Sequence, residues 1–163
     1  MEKVIYLAGG CFWGVQEYYS RLKGVISVVA GYANGTTAFP KYEEVKSQKT
    51  GHAETVKITY DDEIISLEKL LEHFLRFVDP YSLNKQGEDE GIQYRSGVYY
   101  VDLIDAINAR SYLSSVLKPG YKIEIAKLNN FYKAEEYHQD YLKKHPDGYC
   151  HINLNIINPS EKK

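Results

Sequence analysis

Near its start the chain carries a short apolar, partly β-branched run, Val4-Ile5-Tyr6-Leu7-Ala8, that meets Gly9-Gly10 and then a helix-like segment, Phe12–Ser20. A run of that length closed by glycines reads as a buried strand, and the glycine pair permits the tight turn by which a strand enters a helix directly. Cys11 therefore falls at a strand-to-helix junction. The free N–H groups and positive dipole end of a helix start favour an anion, so a thiol there is expected to ionise readily. A lone cysteine is more often a small buried hydrophobe. Against that, Gly10 and Gly14 flank Cys11-Phe12-Trp13 and open the backbone to a close-approaching ligand, and the chain's only tryptophan stands beside the thiol. These residues favour a reactive thiol against an aromatic wall.

Further along, the first helix is expected to end near Lys23-Gly24, and Val25–Ala33 reads as a second strand. Residues 34–40 are turn-rich, which sets Tyr42 on or just after a loop. From His52 to Tyr60 a period of two sends His52, Glu54, Val56, Ile58 and Tyr60 to one face. Glu54 thus shares a side with Val56 and Ile58, either solvated at the rim or partly buried with a raised pKa. Ser66 caps a helix whose stripe, Leu67, Leu70, Leu71, Phe74, Leu75 and Val78, ends at Asp79-Pro80, with His73 beside it in solvent. Residues 80–93 have no periodicity, and a loop that long in a compact domain is often functional, although its acidic run is equally a solvated surface.

A short buried strand at 97–101, a helix at 103–117 capped by Asp102 and a half-exposed strand at 121–126 follow. Ala134, Tyr137, His138, Tyr141 and Leu142 read as one face of a last helix, with His138 packed and hydrogen-bonded, and the end of the chain reads as a mobile tail. The alternation predicts an α/β (α+β) two-layer sandwich on a mixed or antiparallel sheet, with one catalytic domain over 1–151 and a tail over 152–163.

Composition narrows the partners. A formal net charge of -2 argues against nucleic acid, which selects a basic surface. No apolar run is long enough to span a membrane, and no basic leader precedes the first one, so a cytoplasmic location is expected. In that reducing compartment, two cysteines at opposite ends of a chain point to redox activity more than to a structural staple.

Gly10-Cys11-Phe12-Trp13-Gly14 resembles the signature of the peptide methionine sulfoxide reductase A family, and five further blocks follow in that family's order. They are Gly31-Tyr32-Ala33-Asn34-Gly35, Tyr42-Glu43-Glu44-Val45, Gly51-His52-Ala53-Glu54, the stretch 86–96 from Gln86 to Ser96, and Tyr149-Cys150. The resemblance spans residues 4–151 and implies a ferredoxin-like core. It also implies reduction of the S epimer of methionine sulfoxide, protein-bound or free, with no cofactor or metal and with thioredoxin as reductant. In that chemistry Cys11 is the nucleophile and Glu54 the acid, Tyr42 and Tyr94 offer hydroxyls to the sulfoxide oxygen, and Asp89 orders the site through water. Phe12 and Trp13 hold the methyl group. Cys11 becomes a sulfenic acid, and Cys150 condenses with it to a disulfide.

Lowering a thiol pKa from ~8.5 to ~7 gains only about 3-fold in rate once the loss of nucleophilicity is counted. General-acid assistance is typically worth about 10²–10⁴-fold, so Glu54 is expected to matter more than thiolate tuning. Three positions depart from the family pattern: Glu88 stands where Asn is common, Asn34 replaces a glycine, and no glycine-rich tail with another cysteine follows Cys150. Two other readings remain open at this point: a cysteine hydrolase pairing Cys11 with His52 or His138, and a non-enzymatic ligand-binding α/β module.

Overall fold

The apolar runs become strands β1 (Glu2–Gly9), β2 (Val25–Ala33), β3 (Ala53–Asp61) and, later, β6 (Ser96–Tyr100), β7 (Glu124–Lys127) and β8 (Phe131–Lys133). Between them lie helices α1 (Phe12–Ser20), α2 (Tyr42–Lys46), α3 (Leu67–Phe77), α4 (Leu103–Val116) and α5 (Tyr141–Lys144), and a two-residue hairpin of β4 (Lys85–Gln86) and β5 (Asp89–Glu90). The computed structural model describes residues 1–163. Six strands form one mixed sheet in the order β7-β6-β1-β3-β2-β8, in which only β6 and β7 run parallel. α1 joins β1 to β2 and α3 lies between β3 and β6, so the four central strands follow a β-α-β-β-α-β path.

One face of the sheet carries the main core. Ile5, Leu7, Val56, Ile58 and Val98 meet Val15, Tyr18 and Tyr19 of α1, Leu70 and Phe74 of α3 and Leu113 of α4, which makes two layers. α3 shows how local and tertiary signals agree: Ser66 Oγ accepts from Lys69 N at 3.0 Å at its start, and its apolar stripe lies inward. No helix is long and apolar enough to cross a membrane.

The opposite face is covered by the chain itself. β7 and β8 are the two edges of the sheet, yet only residues 128–130 separate them. That connection reaches at most about 14 Å, whereas six flat strands would hold the edges about 24 Å apart. The sheet therefore coils until its edges approach, with small Ala8, Ala33 and Ala53 on the inner face beside Tyr6, Tyr99 and Phe131. Asn34 clamps the crossing: its Nδ2 donates to Lys127 O at 3.0 Å and its Oδ1 accepts from Asn129 N at 2.7 Å. Its φ of 57° lies in the left-handed region, which asparagine tolerates better than most residues.

Three expectations are corrected. His73 is 1% exposed instead of solvated, because α1 packs over it and Tyr18 Oη lies 2.7 Å from its Nδ1. In place of one last helix over Ala134–Leu142 stand a 3-10 turn (Glu136–His138) and the short α5. The break comes at Gln139, whose side chain accepts from Ala30 N at 3.0 Å and donates to Ala30 O at 2.8 Å. An amide side chain thus extends the edge of β2 beyond β8, a gain no helical periodicity encodes. The end of the chain is docked, not loose: Ile152 and Ile157 are buried, and Glu161 takes both Arg76 nitrogens at 2.7 and 2.9 Å.

Candidate active site

β1 ends at Gly9, Gly10 turns the chain with φ 90°, and Cys11 is the N-cap of α1. The thiol is 8% exposed, and its pKa is pushed well above the ordinary cysteine value by burial first and by the Glu54 carboxylate second. Expected easy ionisation at a helix start is thereby overturned. A helix start contributes about 0.3–1 kcal/mol, below the 1.36 kcal/mol of one pKa unit, whereas burial shifts a group by up to about 3–5 units.

Glu54 lies on β3 opposite Tyr32 and is 2% exposed. Its Oε1 accepts from Phe12 N at 3.2 Å, and burial raises its pKa to about 8, so at neutral pH it is mainly a carboxylic acid. The side shared with Val56 and Ile58 is the buried one, which selects between the two readings left open by the alternation. With Glu54 neutral, the part of the Cys11 elevation that comes from its charge is absent.

Tyr42 is the first residue of α2, where its N–H donates to Glu135 Oε2 at 2.9 Å. Its phenol has a pKa raised to about 12 by burial, and that of Tyr94, at the end of a 3-10 turn (Ile92–Tyr94), is also raised, by burial and by the Glu54 charge. Both hydroxyls therefore stay protonated donors. Asp89, on β5, accepts from Tyr149 Oη at 3.1 Å, and burial raises its carboxyl, with exposed Glu88 adding to the shift. Tyr94 lies within electrostatic reach of Glu54, Tyr42, Asp89 and Cys11, and Cys11 within reach of Glu54 and Asp89.

Phe12 is 1% exposed and packs against Tyr32 and His138, so it backs the site instead of lining an open wall. Trp13 is half-buried; its indole stacks on Tyr141 at 3.7 Å and donates from Nε1 to His138 Nδ1 at 3.0 Å. His138 is thus packed and hydrogen-bonded, but on the site and not on a helix stripe.

The glycines flanking Cys11-Phe12-Trp13 do admit a close approach, and what approaches is the chain's own end. A β-carbon on Gly14 would lie 2.9 Å from Cys150 Sγ, and one on Gly10 would lie 2.9 Å from His151 Nε2. Both cysteines are free thiols, and Cys150 Sγ donates to Ile152 O at 3.2 Å. Tyr149, Cys150 and His151 sit docked on Asp89, Gly14 and the Gly9-Gly10 turn.

The sequence assigns no role in this neighbourhood to Glu135, Tyr141 or His151, and it marks Tyr149 only as part of the Tyr149-Cys150 block. Glu135 also accepts from Tyr32 Oη at 2.7 Å, yet nothing in the pattern of residues 131–141 marks it. The only available signal was the position of Tyr149 and His151 beside Cys150. The structure holds no group of three or more His, Cys, Asp or Glu arranged for a metal.

The chain is similar to known proteins over nearly all of its length. The sequence model described as peptide methionine sulfoxide reductase matches residues 3–163. A relative from Ureaplasma urealyticum, "Peptide methionine sulfoxide reductase MsrA", is 52% identical over 159 residues, covering 96% of this chain and 96% of its own. The reduced form of Mxr1 from Saccharomyces cerevisiae superposes with a TM-score of 0.83 at 35% identity, covering 91% of this chain and 88% of that one. The same yeast protein in complex with Trx2 matches with a TM-score of 0.58 at 25% identity, over 86% and 84% of the two chains. A family match over residues 3–163 and 52% identity to a relative across 96% of the chain make this protein a member of the peptide methionine sulfoxide reductase family.

Proposed function

We propose that the chain reduces the S epimer of methionine sulfoxide, free or within oxidised proteins and peptides, using Cys11 as nucleophile and Glu54 as acid. The observation that carries this is Glu54 itself, a carboxyl group held protonated at neutral pH by burial and anchored to the backbone next to Cys11. A sulfoxide has an electrophilic sulfur and a basic oxygen, and this pair addresses both. Because the Cys11 thiol resists ionisation, its deprotonation must be coupled to protonation of the oxygen. The Glu54 proton passes to the sulfoxide oxygen as the Cys11 sulfur attacks, and the thiol proton restores Glu54. The S–S bond so formed between Cys11 and the substrate then breaks as the protonated oxygen passes from the substrate sulfur to the Cys11 sulfur. The substrate S–O bond is lost, a Cys11 S–O bond is gained, methionine leaves reduced, and Cys11 is left oxidised as a sulfenic acid.

Tyr42 and Tyr94 supply neutral hydroxyls to the oxygen, and Asp89 orders the mouth of the site with Tyr149. Trp13 faces the substrate methyl with Phe12 behind it. A buried methyl contributes only about 0.8 kcal/mol, so discrimination of sulfoxide from sulfide falls to the oxygen contacts. Cys150 then resolves the sulfenic acid to a disulfide, which thioredoxin reduces in the cytoplasm; the yeast relative's complex with Trx2 supports that choice of reductant.

A hydrolase using His52 or His138 is disfavoured. His52 Nδ1 accepts from Gly35 N at 3.0 Å and its Nε2 lies 2.8 Å from Thr37 O, while His138 Nδ1 is taken by Trp13. The test is a pair of variants assayed with a sulfoxide peptide. Cys11→Ser is expected to release no sulfide, since an alcohol is scarcely ionised at neutral pH, while Cys150→Ser releases one equivalent and then stalls with thioredoxin. Turnover by Cys11→Ser would overturn the assignment.

A further inference from the structure

His151 has no part in the chemistry above, yet it is held as tightly as the residues that do. Its Nε2 lies 3.0 Å from Gly9 O, and a carbonyl oxygen only accepts, so the ring proton resides on Nε2 and Nδ1 is left as a buried acceptor without a partner. The imidazole fills the notch at Gly10, and a β-carbon on Gly87 would lie 3.4 Å from His151 Cβ. One residue earlier, Cys150 Sγ rests on Gly14. The turn that carries Cys11 is therefore gripped on both sides by the pair Cys150-His151.

We propose that His151 is a positioning residue for the second half of the cycle, its Nε2–H tethering the Cys150 segment to the Gly9-Gly10 turn so that Cys150 remains beside Cys11. This rests on the reductase reading above. In the step concerned an S–S bond forms between Cys150 and Cys11 and the S–O bond of the sulfenic acid breaks. Hydroxide leaves and takes the Cys150 proton as water; the Cys11 sulfur is reduced as the Cys150 sulfur is oxidised. A disulfide requires Cα atoms within about 7 Å, and holding two reactants in place is where an intramolecular step gains its rate.

His151→Leu removes the tether, whereas His151→Gln keeps an N–H at the ε position but cannot act as a base. Two measurements separate the cases: quench-flow of sulfide release and of the Cys11–Cys150 disulfide, and alkylation of Cys150 in the resting reduced protein. In His151→Leu, sulfide release is expected at the wild-type rate, disulfide formation about tenfold slower or more, and Cys150 alkylation faster; His151→Gln restores both. His151→Ala reads the same way should the leucine variant not fold. Wild-type rates in the leucine and alanine variants would overturn the proposal, as would a glutamine variant as slow as leucine, which would make Nδ1 a base instead. A wild-type chain that releases no sulfide would refute the parent reading, and the alkylation rates would still decide whether His151 holds Cys150 in place.

Discussion

At the scale of single residues, the site runs on two acids that burial keeps protonated. Glu54 has a pKa of about 8 in the folded chain against an ordinary 4.5. Between those values the folded chain holds a proton that the unfolded chain has released, so stability falls as pH rises through the window, and the full cost is present above about pH 8. Glu54→Gln keeps the acceptor for Phe12 N and removes the titration. The variant is expected to gain stability over wild type as pH rises from 5 to 9, by a few kcal/mol at the upper end. Its single-turnover rate is expected to fall about 10²-fold or more, with substrate affinity changed much less. Thermal melts at the two pH values check the first claim; a stability difference independent of pH would mean that Glu54 is already ionised at neutral pH. The buried face of β3 was legible because alternation places Glu54 with Val56 and Ile58. The thiol was misjudged because a strand-to-helix junction reveals a dipole, whereas the larger effect, burial, is set by distant chain.

At the scale of elements, local patterns were readable where one face of one element decides the outcome, as in β1, α1, β2 and the stripe of α3. They were not readable where a side chain substitutes for a backbone partner. Gln139 completes the β2 edge and breaks the last helix, and Asn34 clamps the 128–130 crossing. Asn34→Ala loses two hydrogen bonds and places alanine in the left-handed region, at a combined cost of about 2–4 kcal/mol. Asn34→Gly loses only the bonds and is expected to cost about 1–2 kcal/mol, since glycine adopts that backbone freely. Urea unfolding of the two variants compares them directly; equal losses would show that the conformation of residue 34 carries no strain.

At the scale of the whole molecule, coiling of the sheet and docking of the chain's end gather residues from β1, α2, β3, β5 and the 149–151 segment around one thiol. Cys11, Glu54 and the motifs that hold them are each local and stand out in the sequence. The neighbours supplied by 135–151 could not, since they depend on where a broken helix and an apolar C-terminal stretch pack. The central claim is that Cys11, Glu54 and Cys150 act as one stereospecific sulfoxide-reducing unit. It is tested most directly by giving the wild-type chain, without any reductant, a blocked methionine sulfoxide resolved into its two epimers, and then mapping its disulfides. The account predicts one equivalent of sulfide per chain from the S epimer, almost none from the R epimer, and a Cys11–Cys150 disulfide in the product. Equal yields from both epimers, or S-epimer reduction that leaves Cys11 and Cys150 unlinked, would contradict it.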